Sequence, residues 1–204
     1  AIDIGTNSLK ALRLTIAGDS AEVIGFDNIQ HGKILSANNV KPAERDELIA
    51  ISLRQFVSRN NLSKDDVIIS VPGQNSFARL VNLPPVEEKR IPEIVRFEAV
   101  QQIPFDINDV QWDWQMMGQT GGAEAKVGIF AVKSDVVNAE LEHFSRENLK
   151  VCAVQIAPMA LYNYLLYDRP ELIKSDNQAI VVLNMGAENT DLVVCTKSAV
   201  WQRC

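Results

Sequence analysis

The sequence predicts an α/β fold, and three observations lead there. The chain opens with three short strands, a helix and a further apolar strand. Its middle reads as strand, helix, strand, strand, helix. Near its end it repeats the form of its opening hairpin.

The elements follow in order. "AIDIGTNSLKALRL" reads as an apolar strand, the turn Gly-Thr-Asn-Ser, and a second strand. Residues 9–16 and 21–29 read as strands joined by "AGDS", so that with residues 1–4 they form a three-stranded meander. Residues 44–59 read as a helix: Leu48, Ile49, Ser52, Phe56 and Val57 recur at helical spacing behind Pro42. "DDVIISVPG" carries a strand over residues 67–71.

The middle segment begins after Gly73. "SFARLVNLPP" reads as a strand that ends at two prolines. Residues 92–102 form a short helix between Pro92 and Pro104, with Ile94, Phe97 and Val100 on its apolar side. "DVQWDWQMM" and "AKVGIFAV" alternate like strands, and the glycine pair of "QTGGAE" suits the turn between them. Residues 134–148 read as a helix capped by Ser134, with Val137, Leu141 and Phe144 at core spacing. Residues 76–150 therefore read as a small βαββα subdomain inserted between residues 1–75 and 151–204. "VCAVQIA" resumes an apolar strand, and residues 158–167 form a helix whose Tyr162, Tyr164 and Tyr167 are expected to pack.

Composition narrows the function. The 204 residues are 47% apolar and 23% charged, an ordinary soluble balance. The net charge of −6, with no basic run, gives no footprint for nucleic acid. No apolar run reaches the ~20 residues of a membrane span. Cys152, Cys195 and Cys204 lack CxxC spacing and are expected to be buried thiols in a reducing cytoplasm. His31 and His143 show no metal-site spacing and are expected to be ordinary surface or packing residues. The chain starts inside a strand without an initiator Met and closes on the strand-like "SAVWQRC", so it is expected to be a piece of a longer protein.

Two readings of the opening hairpin stand side by side: a structural turn, or a turn that holds phosphate. Asp3 sits in an apolar strand, where a carboxylate is costly without a partner. Gly5 permits close backbone approach, and Thr6, Asn7 and Ser8 add side-chain donors to the N–H groups of the turn. Such a concave donor set beside one carboxylate suits a nucleotide: the donors take phosphate oxygens and Asp3 holds Mg²⁺ through water. Lys10 adds positive charge. "VVLNMGAENTDLV" echoes this form, matching Asn184 to Asp3, Gly186 to Gly5 and Asn189 to Ser8.

With two such hairpins and this strand order, the chain resembles the superfamily of actin, heat-shock chaperones and sugar kinases. "VPGQNSFARLVNLPPVEEKRIPEIVRFEAVQQIPFDINDVQWDWQ" and "VGIFAVKSDVVNAELEHFSRENLKVCAVQIAPMAL" are similar to the type IV pilus assembly protein PilM family and to the related division protein FtsA. The Ile-Pro-Phe at 103–105 and the Trp-rich strand after it are closer to PilM. The resemblance spans essentially the whole chain. It implies the N-terminal lobe of an actin-like ATPase (ribonuclease H-like) domain with an inserted βαββα subdomain.

The resemblance further implies ATP and Mg²⁺ as cofactors. Asp3, Gly5, Thr6, Asn7, Ser8 and Lys10 would serve the first phosphate turn. Asn184, Gly186, Ala187, Asn189 and Thr190 would serve the second. It implies a cytoplasmic protein, peripheral at the inner membrane, that binds the cytoplasmic tail of a PilN-like bitopic partner. Phe77, Arg79, Leu80 and Arg96 are candidates for that contact. Self-association stays open. Asn184 stands where the family usually has Asp, Gln155 stands where an acidic residue is common, and Glu188 repels phosphate. These departures point to a scaffold with at most weak ATPase activity. A small-molecule kinase of the same superfamily and an FtsA-like filament protein are the alternatives.

Overall fold

The computed structural model describes residues 1–18, 20–62, 65–120 and 124–204. The turn expected at "QTGGAE" and Asp19 of "AGDS" lie outside the described residues.

Backbone contacts divide the chain into two units. The first comprises Ala1–Val71, Asn138–Gln155 and Met185–Asn189. The second comprises Pro72–Val137, Ile156–Asn184 and Thr190–Cys204.

The first unit is built on a five-stranded sheet. Its strands are β1 (Ile2–Ile4), β2 (Ser8–Ala17), β3 (Ser20–Gln30), β4 (Val67–Val71) and β8 (Val151–Ile156), in the order β3-β2-β1-β4-β8. β1 pairs antiparallel with β2 and parallel with β4, and β2 pairs antiparallel with β3, as a meander requires. Helix α1 (Pro42–Arg59) starts on a proline, whose missing N–H costs nothing in a first turn. It ends where Asn60 returns its own N–H and its side-chain amide to the Phe56 carbonyl. Ile49, Leu53 and Phe56 of α1 join Ile2, Leu9, Ile29, Val67 and Ile69 of the sheet in one core. Phe144 of α3 (Ser134–Arg146) completes it.

Strand alternation sets the two faces of this sheet. Ile2, Leu9 and Ile69 point into the core, so Asp3, Lys10 and Ser70 point to the other side. Several apolar residues of the sheet stay exposed, among them Phe26, Ile68 and Val154. β8, read as a fully apolar strand, is an edge strand with residues 152–154 exposed.

The second unit holds two three-stranded sheets. One runs β5-β7-β6, from β5 (Ser76–Leu83), β6 (Val110–Thr120) and β7 (Glu124–Lys133), all antiparallel. Helix α2 (Ile91–Gln102) packs on it through Ile91, Val95 and Ala99. This corrects the expected face. Phe97 and Val100 are exposed, and Ile94 packs only partly. The 91/95/99 stripe competes with 94/97/100 in the sequence, and packing against the sheet selects the stripe that ends in small Ala99.

The other sheet runs β11-β10-β9, from β9 (Ile180–Met185), β10 (Thr190–Cys195) and β11 (Val200–Arg203). Helix α4 (Ala157–Asp168) contacts β10. Tyr162 of α4 is buried as expected, but Tyr164 and Tyr167 are exposed. Of the three thiols only Cys195 is buried; Cys152 lies on the edge strand β8, and Cys204 is exposed as well.

Candidate functional site

The turn between β1 and β2 carries the first set of candidates. Asp3 is anchored at both carboxylate oxygens: Ser70 Oγ donates to Oδ1 at 2.6 Å and Lys10 Nζ lies 3.2 Å from Oδ2. Those partners offset the cost of a carboxylate in an apolar strand. Both Asp3 and Lys10 are about half exposed, so the pair remains open to a ligand.

Gly5 has no positive φ; its smallness serves close packing. A Cβ there would stand 2.9 Å from Lys10 Nζ and 3.1 Å from the Ser8 carbonyl. The turn is closed by Gly5 N–H donating to the Ser8 carbonyl at 3.0 Å. Three further carbonyls are held from behind. Gly5 O meets His31 Nε2 at 3.1 Å, Thr6 O accepts from Leu35 N–H at 2.8 Å, and Asn7 O accepts from His31 N–H at 3.1 Å.

A trans peptide points its N–H opposite its C=O, so tied-in carbonyls turn the following N–H groups outward. Among the described residues, the N–H groups of Thr6 and Asn7 have no protein partner. Two such N–H groups beside Lys10 are of the kind that can receive an anion. Ser8 is buried, at 3% exposure, and is the least accessible residue of the set.

A single carboxylate with a hydroxyl beside it suits Mg²⁺ held through water better than a cation caged by protein. Among the described residues no group of three or more His, Cys, Asp or Glu side chains gathers to hold a metal. The residues present thus fit a phosphate chain with its Mg²⁺.

The second hairpin is built alike. Gly186 N–H donates to the Asn189 carbonyl at 2.9 Å, and a Cβ on Gly186 would stand 2.9 Å from that oxygen. Met185–Asn189, which includes Ala187, groups with the first unit, the one that carries residues 5–8. Asn184 Nδ2 donates to Asp191 Oδ2 at 3.0 Å. Thr190 opens β10 and is exposed.

His31, expected to be an ordinary surface or packing residue, packs behind the turn. It is buried, at 8% exposure, with Nδ1 2.7 Å from Ser52 Oγ and Nε2 against the turn. Burial pushes its pKa down, as do the charges of Arg45 and Lys10, against the pull of the Gly5 carbonyl. A lone His in "IQHGKIL" carries no local signal of this role, because its partners are 21 and 26 residues away.

The four partner-contact candidates separate. Arg79 and Leu80 line a cavity of about 220 Å³ with Gly128, Phe130, Trp201 and Gln202. Phe77 packs instead against the core beneath α2, and Arg96 sits on the exposed side of α2. β5 is an edge strand, so part of its backbone is unpaired within its sheet. No helix among the described residues is long and apolar enough to cross a membrane.

Comparison with known proteins adds an independent line. The family model of type IV pilus assembly protein PilM matches residues 1–203. The chain is similar to the solved PilM–PilN type IV pilus biogenesis complex, with a TM-score of 0.72 and 22% identity over 98% of this chain and 60% of that one. It is similar as well to the cytoplasmic domain of EpsL, an inner membrane component of the type II secretion system of Vibrio cholerae. There the TM-score is 0.53 and the identity 12%, over 99% of this chain and 69% of that one. At such identities the likeness is one of fold, and the chain spans about 60% of the length of the first. No curated protein sequence matches it.

Proposed function

We propose, from the premise that this chain belongs to the type IV pilus assembly protein PilM family, that it is the first lobe of an actin-like, ATP-binding scaffold. The observation that carries this reading is the turn at residues 5–8, whose carbonyls are tied inward beside Asp3 and Lys10. Bound ATP would meet the N–H groups of Thr6 and Asn7 and the Lys10 ammonium, with Asp3 holding Mg²⁺ through water. Gly186, Ala187, Asn189 and Thr190 would form the second phosphate turn.

Asn184 weakens the case for hydrolysis more than the case for binding. It preserves the hairpin through Asp191 but brings no charge of its own to a metal. The reading is therefore a scaffold with at most weak ATPase activity. The protein would sit at the cytoplasmic face of the inner membrane and hold the tail of a PilN-like partner. The unpaired edge of β5 and the cavity at Arg79 and Leu80 favour an extended peptide added to a sheet edge. In this reading residues 76–150, the βαββα segment, form the inserted subdomain.

The test is calorimetric titration of Mg·ATP into the full-length protein and its Asp3→Ala variant, with turnover assayed in the same samples. The expected result is binding by the wild type, loss of at least about tenfold in the variant, and negligible turnover. Absence of binding by the wild type removes the nucleotide reading. Turnover that rises on adding a sugar replaces the scaffold with a kinase.

A further inference from the structure

The first unit contains a buried imidazole behind its opening turn, braced on both nitrogens. His31 Nε2 lies 3.1 Å from the Gly5 carbonyl, which can only accept, so Nε2 carries the hydrogen. Nδ1 lies 2.7 Å from Ser52 Oγ, itself 3.0 Å from the Leu48 carbonyl one helical turn earlier. Ser52 is 2% exposed. Burial favours the neutral ring. Ser52 Oγ, which donates to the Leu48 carbonyl, also holds the ring at Nδ1 and so keeps Nε2 against Gly5.

The consequence lies in the peptide planes. The Gly5 carbonyl and the Thr6 N–H belong to one planar unit, and so do the Asn7 carbonyl and the Ser8 N–H. The His31 side chain holds the first plane and its backbone N–H holds the second. The plane between them is held by Leu35 N–H. Without the imidazole donor, the first plane alone loses its tether. It can then rotate, turning the Gly5 carbonyl toward the ligand where the Thr6 N–H had been.

We infer that His31 is a positioning residue for the phosphate turn, keeping the Thr6 N–H aimed at the ligand through its Nε2 bond to Gly5, with Ser52 holding the ring at Nδ1. The inference rests on the nucleotide reading for its ligand and on the turn geometry for its mechanism.

Three variants of the full-length protein test it, each titrated with Mg·ATP by calorimetry. His31→Phe keeps a ring and removes both nitrogens; its affinity is expected to fall about tenfold, the worth of one well-placed hydrogen bond. His31→Gln can return an amide N–H to the Gly5 carbonyl and is expected to recover most of that loss. Ser52→Ala leaves the ring but removes its hold at Nδ1, which ¹⁵N spectra of the imidazole report, and is expected to fall between the two. A purely structural role would lower the thermal midpoint of His31→Phe and His31→Gln alike with affinity unchanged, and that result overturns the inference.

A second readout needs no ligand. The amide signals of Thr6 and Asn7 and their hydrogen exchange are expected to change in His31→Phe and return in His31→Gln. If wild-type protein binds no Mg·ATP, the nucleotide reading fails, and this amide comparison alone decides whether His31 braces the turn. If the wild type binds and His31→Phe binds equally well, the bracing fails and the nucleotide reading survives.

Discussion

Asn184 Nδ2 donates to Asp191 Oδ2 at 3.0 Å across the same seven-residue offset that joins Asp3 to Lys10. The two hairpins thus share one architectural bond with its chemistry reversed. In the first, the carboxylate stands on the leading strand and a cation answers it. In the second, the leading strand offers a neutral amide and the carboxylate answers. Asn184 is therefore matched to Asp191, and the shape of the hairpin survives the loss of charge at position 184.

Replacing Asn184 with Asp, the residue that stands at the matching position 3 of the first hairpin, is expected to destabilise the protein. Two carboxylates would stand where an amide now donates, and one of them would titrate upward. At this exposed site the cost at pH 7 is a few tenths to about 1 kcal/mol, reduced by solvent screening. The cost shrinks as the pH falls and the pair takes up a proton. It shrinks also when millimolar Mg²⁺ bridges the oxygens. Urea denaturation of Asn184→Asp and wild type at pH 7 and at pH 4.5, with and without Mg²⁺, measures both effects.

The orientation of α2 gives a sharper contrast. Val95 is fully buried and Phe97 is 64% exposed. Val95→Ala is expected to cost about 2 kcal/mol, and Phe97→Ser less than about 0.5 kcal/mol. Equilibrium denaturation of both variants checks the assignment. A larger loss from Phe97→Ser would restore the 94/97/100 face.

Stability is expected to fall on mild acidification because of His143. The ring is 6% exposed, its Nδ1 has no partner among the described residues, and its Nε2 lies 3.7 Å from Asp46 Oδ1. Burial holds its pKa below the ordinary 6.5, and the positive charges of Arg45 and Arg146 add to that. The charges of Glu140 and Asp46 pull the other way. The unfolded chain therefore binds the proton more readily than the folded one. This contribution is present in full above about pH 6.5 and is lost as the pH drops through the lower folded value. Thermal midpoints between pH 7 and pH 5 should decline less steeply in His143→Gln than in the wild type.

Local patterns made much of this legible. The meander, α1 and β4 follow from alternation, helical spacing and punctuation by Gly and Pro. The hairpin echo is legible because a glycine N–H closing on a carbonyl three residues later is a local event. What escaped was decided at long range. α2 carries two apolar stripes, and only its sheet chooses between them. Tyr164 and Tyr167 share a helix with buried Tyr162 yet face outward, which composition cannot reveal. His31 gains its place from a turn and a helix remote in sequence.

The distribution of tryptophan has an optical consequence. All three tryptophans, Trp112, Trp114 and Trp201, lie in the second unit, and Trp201 is half exposed beside Leu80. The first unit, with the turn at residues 5–8, has no indole emitter. A peptide seated along β5 would be seen directly as a change in the emission of Trp201. A nucleotide at that turn meets no indole of its own unit, so calorimetry reads its arrival while light reads the peptide's.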